Sequence, residues 1–330
     1  ARLTMLALVG CSRRLIGWGS ARTRLNQALR GHWSLGGRFK PHSFKMSLLR
    51  LLSLVRGCVD RVRICAVCVP FLLAACASLP RNAVPPDLVS QATVPLMPDI
   101  RALAGQPSPV MERDLIESFA QEIGSDFKVG KDGRIHYAHL ALSGGGASGA
   151  FGAGFLNGWT SRGDRPTFKI VTGVSTGALM APFAFLGPAY DDALREFYTN
   201  TRTQDIFLLG SLLRQLLVGE AIADTGPLRA LIERHVDARF VQQIAQAHDR
   251  GRRLYIGTTD LDTRRFVVWN MGLVAKSGRP ESLDLFRKIM LASASIPVAF
   301  PPVFFEVEVQ GRRFDEMHVD GGVGARVFFN

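Results

Sequence analysis

No cysteine follows Cys76: all five, Cys11, Cys58, Cys65, Cys68 and Cys76, fall in the first quarter of the chain. The rest can form no disulfide, so its stability must come from core packing. Cys65 and Cys68 make a C-x-x-C, but inside an apolar run and without a second pair, which argues against a zinc or redox site. A charge excess is missing as well, once the net +12 is divided along the chain: residues 1–75 hold 13 Lys and Arg against the single acid Asp60, and residues 76–330 hold 27 basic and 27 acidic residues. A neutral main body gives no reason to expect nucleic-acid binding. The apolar stretch Ile64 to Ala75 has 12 residues, too few to span a membrane. No lysine follows the glycines at 144–149, which excludes a P-loop.

The basic, cysteine-bearing quarter has the parts of an export signal. The chain opens at Ala1, and residues 1–45, rich in Arg, Gly and Ser without a sustained period, are expected to be disordered or a non-native upstream extension. Met46 is the expected start of residues 46–76, in which Arg50, Arg56, Arg61 and Arg63 form a positive region ahead of the apolar stretch. Leu73-Ala74-Ala75-Cys76 resembles a bacterial lipoprotein box. Acylation of Cys76 would tether the mature protein to a membrane of the cell envelope, expected to be the outer one, each buried methylene contributing about 0.8 kcal/mol. The alternative is cleavage within Ala75-Cys76-Ala77, an A-x-A match that would release a soluble periplasmic or secreted protein. Seven prolines between Pro80 and Pro109 then predict an extended tether. Asp114 to Phe127, with Leu115, Phe119, Ile123 and Phe127 at four-residue steps, predicts an accessory helix. Residues 77–136 are thus expected to precede a catalytic domain at 137–330.

The informative stretch of that domain is Gly173-Val174-Ser175-Thr176-Gly177, between the apolar run Phe168 to Thr172 and the Ala-rich run Ala178 to Leu186. It reads as strand, tight turn, helix, and G-x-S-x-G at such a turn is a nucleophile elbow, in which Gly173 and Gly177 leave room for a strained backbone. The following helix N-terminus favours developing negative charge. Upstream, His139 to Ser143 reads as a buried strand leading to Gly144-Gly145-Gly146-Ala147-Ser148-Gly149 and a helix with Phe151, Phe155 and Trp159 at i, i+4 and i+8. Consecutive glycines allow neighbouring N–H groups to turn outward together, as an oxyanion hole requires. Downstream, His318-Val319-Asp320-Gly321-Gly322 sets an acid at the end of a β-like run.

In this order G-G-G-x-x-G, G-x-S-x-G and D-G-G resemble the patatin-like phospholipases, and Ala292 to Pro302 is similar to a further stretch of that family; the resemblance covers roughly residues 137–330. It implies a serine hydrolase acting on carboxylic esters of lipids through a Ser–Asp dyad without histidine. Ser175 would be the nucleophile and Asp320 the general base, with an oxyanion hole at Gly144, Gly145, Gly146 and Ala147. No cofactor and no metal are implied. The partners would be a lipid or acyl-ester substrate and the membrane reached through the anchor; no oligomeric state follows. The family's glycine loop usually carries Arg or Lys just before its last glycine, where this chain has Ser148, so a cation is missing from the anion site. Family members usually continue beyond the D-G-G strand, so a C-terminal truncation is expected.

Elsewhere, strands are expected at Leu254 to Thr259, Arg265 to Trp269 and Val303 to Val309, and helices at Thr176 to Leu186, Asp191 to Gly219, Asp224 to Val236 and Leu283 to Leu291. The alternation predicts an α/β fold, a three-layer α/β/α sandwich with a central, mostly parallel sheet. The apolar cluster Ile206 to Leu217 is either a core helix or a lipid-contacting surface. Pro182 is expected to kink its helix or to lie near its first turn.

Three rivals stand beside the dyad. A Ser–His–Asp hydrolase could use Ser175, Asp260 or Asp262, and His318. Against it, His318 is two residues from Asp320 on one strand, which makes it a candidate to support Asp320 from behind. Dinucleotide binding would use Gly144, Gly146 and Gly149, but Asp164 precedes the second strand instead of ending it. A tethered lipid-binding module without activity is the third. His235 and His248 have no motif around them and read as surface residues.

Overall fold

The computed structural model describes residues 81–124, 126–127, 129–199 and 225–329. The upstream segment, the expected export signal with Cys76 and the apolar cluster Ile206 to Leu217 lie outside the described residues. Within them the chain forms seven strands: β1 (Arg101–Leu103), β2 (Ala138–Leu142), β3 (Phe168–Val174), β4 (Arg253–Asp260), β5 (Arg265–Asn270), β6 (Val303–Val309) and β7 (Arg312–Asp320). Eight α-helices join them: α1 (Pro109–Ala120), α2 (Gly149–Arg162), α3 (Thr176–Leu186), α4 (Asp191–Thr199), α5 (Gly226–His235), α6 (Ala238–Asp249), α7 (Met271–Lys276) and α8 (Ser282–Ser293).

All seven strands belong to one sheet, with the path β1-β5-β4-β3-β2 and the β6–β7 hairpin attached through β7 to β4. The fold is α/β, but the sheet is mixed. Only β2–β3 and β3–β4 are parallel, while β1–β5, β4–β5, β4–β7 and β6–β7 are antiparallel. Connectivity is the reason: helices make the crossovers from β2 to β4, and a parallel pair needs such a crossover. After β4 the chain doubles back, first through Leu261–Arg264 and later through Gln310-Gly311, whose positive φ values of 51° and 73° suit a two-residue hairpin turn.

Side chains alternate across the sheet. Val171, Leu254, Ile256, Val267 and Trp269 face one cluster, built with Leu156, Phe183, Phe197, Ile232, Ile244, Val274 and Ile289 from the helices. Ile170, Val174, Tyr255, Phe266 and Val268 face the other, covered by Met111 and Leu115 of α1 and by Ala325 and Phe328. The second cover is a single helix and an irregular segment, thinner than the helical layer expected.

Residues 81–108 are not the extended tether that their prolines predict. Arg101–Leu103 pairs with β5, Thr93 exchanges backbone hydrogen bonds with Glu308, and Val84 packs with Val307, Val309 and Phe314. The helix expected from Asp114 begins five residues earlier, with Ser108 as N-cap and Pro109 at its first position, where a missing N–H costs nothing. It ends at Ala120, and Phe119 and Ile123 of the expected stripe are exposed. The Phe151–Phe155–Trp159 stripe is not the buried face of α2 either. Gly149, Ala153 and Leu156 are buried, and Phe151 and Phe155 are exposed. Close approach decides this, since a Cβ on Gly149 would lie 2.1 Å from Thr176 Oγ1. Pro182 sits inside α3, beyond its first turn.

His248 corrects its surface assignment. It is fully buried, with Nε2 3.2 Å from Asp114 Oδ1. Asp114 also accepts from Arg253 Nε (2.7 Å) and Asn270 Nδ2 (2.8 Å). Together with Lys169, whose Nζ donates to Ser118 O at 3.0 Å and pairs with Glu122, these contacts clamp α1 across the starts of β3 and β4.

Candidate active site

The two ends that carry the candidate chemistry meet along one edge of β4. β3 runs parallel to β4 and its last residue, Val174, lies opposite Gly257. β7 runs antiparallel and its last residue, Asp320, lies opposite Thr258, the next position. Two strands therefore point their C-terminal ends at each other. The junction is crowded: a Cβ on Gly321 would sit 2.3 Å from Gly257 O and 3.0 Å from Val174 Cγ1.

At this junction Ser175 Oγ donates to Asp320 Oδ2 at 2.5 Å, and both residues are buried. Ser175 has φ 57° and ψ −126°, a combination that costs a non-glycine residue about 1–3 kcal/mol and needs surrounding structure to hold it. The flanking glycines make room for it. A Cβ on Gly173 would meet Gly177 O at 2.5 Å, and one on Gly177 would meet Leu142 O at 2.2 Å. The bend leaves Ser175 at the head of α3, where the aligned peptide dipoles favour negative charge.

Ser293, at the end of α8, braces this arrangement. Its hydroxyl accepts from Ser175 N–H (3.0 Å) and donates to Gly257 O (2.6 Å), while Ser295 O accepts from Asp320 N–H (2.8 Å). Both sides of the Ser175–Asp320 contact thus hang on three consecutive residues. In the sequence the Ser293–Ser295 stretch stood out only through its family resemblance. Nothing local to it signals a brace between two distant strands.

Burial is the main influence on the Asp320 carboxyl and raises its pKa above the ordinary value, against the hydrogen bonds from Ser175 and from Gly322 N–H (2.6 Å). A carboxylate with a raised pKa is a stronger base.

The glycine loop lies against the serine: a Cβ on Gly144 would be 3.1 Å from Ser175 Cβ. Gly144 N–H, however, donates to Arg326 O at 3.0 Å, which removes Gly144 from the four-residue donor set expected. Among the described residues the N–H groups of Gly145, Gly146 and Ala147 have no acceptor. Gly146 has φ +55°, a turn that glycine adopts without strain. The loop, Ser175 and Asp320 open onto a cavity of about 430 Å³ that Ile296, Pro297 and Val323 also line.

The other expected residues lie apart. His318 is fully buried between Trp269 and Phe305, bonded through Nδ1 to Thr258 Oγ1 (2.9 Å) and through Nε2 to Glu316 (3.2 Å). Burial pushes the Glu316 carboxyl up, but His318 and Arg101 outweigh it and hold the pKa at about 2. His318 contacts Asp320 through no hydrogen bond among the described residues; it reaches the junction only through Thr258, the register partner of Asp320. Asp260 is occupied by Asp262 N–H and Thr263, and Asp262 pairs with Arg81. The Ser–His–Asp alternative is therefore not assembled. Asp164 pairs with Arg162 on the surface, and Gly149 serves helix packing, which leaves the dinucleotide alternative without its acid. No cluster of candidate metal ligands occurs among the described residues, and none of their helices is long and apolar enough to cross a membrane.

The family model described as patatin-like phospholipase matches residues 140–329, more than half of the chain. Among solved structures, VipD from Legionella pneumophila matches at 14% identity with a TM-score of 0.36, over 62% of this chain and 50% of that one. This chain thus spans about half the length of VipD. None of the curated proteins compared matches.

Proposed function

Since the chain belongs to the patatin-like phospholipase family, we propose that it hydrolyses carboxylic esters of lipids, with Ser175 as nucleophile and Asp320 as general base. The observation that carries this reading is the 2.5 Å hydrogen bond from Ser175 Oγ to Asp320 Oδ2 beside unpartnered glycine amides. As Oγ attacks the ester carbonyl, its proton passes to Oδ2 and the carbonyl oxygen becomes an oxyanion. The N–H groups of Gly145 and Gly146, joined by Ala147, receive that charge; one such donor contributes about 3 kcal/mol to the barrier reduction. Asp320 then returns the proton to the departing alcohol. Water, deprotonated by the same carboxylate, attacks the acyl-serine, and the proton passes from Asp320 back to Ser175 Oγ as the fatty acid is released. Direct contact and burial replace the imidazole of a triad.

A fluorophosphonate ester tests this reading. One equivalent of label on Ser175, absent in Ser175→Ala, is expected; a folded protein that takes up no label would instead be a lipid-binding module without activity. For location, the sequence Leu73-Ala74-Ala75-Cys76 supports an envelope protein tethered through an acylated Cys76. Palmitate incorporation in a bacterial host, lost in Cys76→Ala, is the expected outcome, and equal incorporation by both would discard the anchor.

A further inference from the structure

The two halves of the candidate site come from two crossovers that meet at their helix starts. The glycine amides lie at the turn Gly146–Ser148, which runs directly into α2 at Gly149, and Ser175 stands directly before α3 at Thr176. Among the described residues no hydrogen bond passes from residues 144–149 to residues 174–177. A third element ties the two helix starts together, through Tyr198 in the last turn of α4. Its hydroxyl donates to Thr176 O at 2.9 Å and lies 2.8 Å from Thr176 Oγ1. A phenol has one proton to give. With that proton on the carbonyl, the Thr176 hydroxyl is the donor of the second bond. Burial raises the phenol pKa above its ordinary value, against the bond with Thr176, and so keeps the donated proton in place. The ring of the same residue lies against the end of the glycine loop: a Cβ on Gly149 would be 2.6 Å from Tyr198 Cε1 and 2.1 Å from Thr176 Oγ1. One side chain therefore bonds the residue after the nucleophile and packs on the residue after the oxyanion turn.

We propose that Tyr198 is a positioning residue of this site, holding the starts of α2 and α3 together so that Ser175 Oγ and the glycine amides face one reacting carbonyl. The role rests on the ester-hydrolase reading above. Without the phenol hydroxyl the ring still fills its place, but the two helix starts are free to shift against each other. Oxyanion donors act only when held within about 0.5 Å of the productive geometry. The oxyanion exists in the transition state and not in the bound ester, so slack between the two halves raises the barrier without weakening substrate binding.

Tyr198→Phe removes the hydroxyl and keeps the ring. With p-nitrophenyl butyrate its kcat is expected to fall on the order of tenfold, the equivalent of one uncharged hydrogen bond, while KM stays within twofold. Two inhibitors separate positioning from a general loosening of the fold: an alkyl trifluoromethyl ketone, which Ser175 attacks to form a tetrahedral oxyanion, and the trifluoromethyl carbinol of the same chain, which it cannot attack. The preference for the ketone should shrink by a similar factor in Tyr198→Phe, whereas a changed cavity would weaken both inhibitors alike. Thr176→Val, which leaves the bond from Tyr198 to Thr176 O in place, should lose less than Tyr198→Phe; a larger loss would put the effect in Thr176 and count against Tyr198. An active enzyme in which Tyr198→Phe keeps kcat and the ketone preference within twofold, or weakens ketone and carbinol equally, would overturn the positioning role alone. A wild type that neither turns over the ester nor prefers the ketone would sink the hydrolase reading and this role with it.

Discussion

In the proposed mechanism Asp320 must be ionised to accept the Ser175 proton, yet its surroundings favour the protonated form, and both consequences are measurable. Because burial raises its folded pKa, the acid limb of kcat/KM on a neutral ester such as p-nitrophenyl butyrate should lie above the ordinary carboxylate value of about 4. The same shift acts on stability in the opposite sense to a salt-bridged acid. The folded chain binds this proton more tightly than the unfolded one, so the contribution is full below about pH 4 and is lost as pH rises through the folded pKa. Asp320→Asn should therefore lower kcat by on the order of 10²–10⁴-fold while raising Tm at pH 7. Thermal melts at pH 4 and pH 7 check it; a variant less stable than wild type at pH 7 would contradict the assigned burial cost.

Among the elements, the decisive one is the seam where β3 and β7 end against β4. Ser293 on α8 braces it, its hydroxyl joining Ser175, the residue that follows β3, to Gly257 of β4. Ser293→Ala leaves the buried Ser175 N–H without an acceptor and Gly257 O without that donor, which should cost about 1–3 kcal/mol. Urea unfolding measures the cost. Labelling of Ser175 should slow in parallel, because a slack elbow misplaces Oγ. At the other end of the sheet, Asp114 holds Arg253, His248 and Asn270. Asp114→Ala should cost about 3–5 kcal/mol, since it leaves a buried guanidinium without its counter-charge. An effect below 1 kcal/mol would mean that water replaces the carboxylate there.

At the scale of the molecule, residues 81–108 close the structure. They place β1 on the outer edge of β5 and cover the β6–β7 hairpin with Val84. Their deletion should bare a sheet edge and an apolar patch, and light scattering on the shortened chain should reveal aggregation at concentrations where the full one is monodisperse. The prolines of this stretch point to an extended tether; what they do not disclose is that it turns repeatedly and docks. Docking depends on partners more than 200 positions away, such as Glu308 for Thr93 and Asp315 for Asn82, and no local pattern encodes them. His248 shows the same gap, being buried by Asp114 from a helix 134 positions upstream, as is the Phe151–Phe155 face, left outside because Gly149 and Ala153 pack more closely than aromatic rings could.

Ser175 was legible through the G-x-S-x-G motif and Asp320 through the resemblance of D-G-G to the family; the glycine spacing was legible because it is a local steric requirement, a Cβ at Gly177 or Gly321 falling 2.2 Å from Leu142 O or 2.3 Å from Gly257 O. The α/β class was legible for the same reason, since the 3.6 and 2 periodicities are properties of neighbouring residues. Which strands run antiparallel, which of the loop amides is already bonded, and that Ser293 and Arg326 stand at the site were decided only by folding. Those facts depend on register along β4 and on segments that meet from far apart, and register is set by the whole packed sheet, not by any stretch within it.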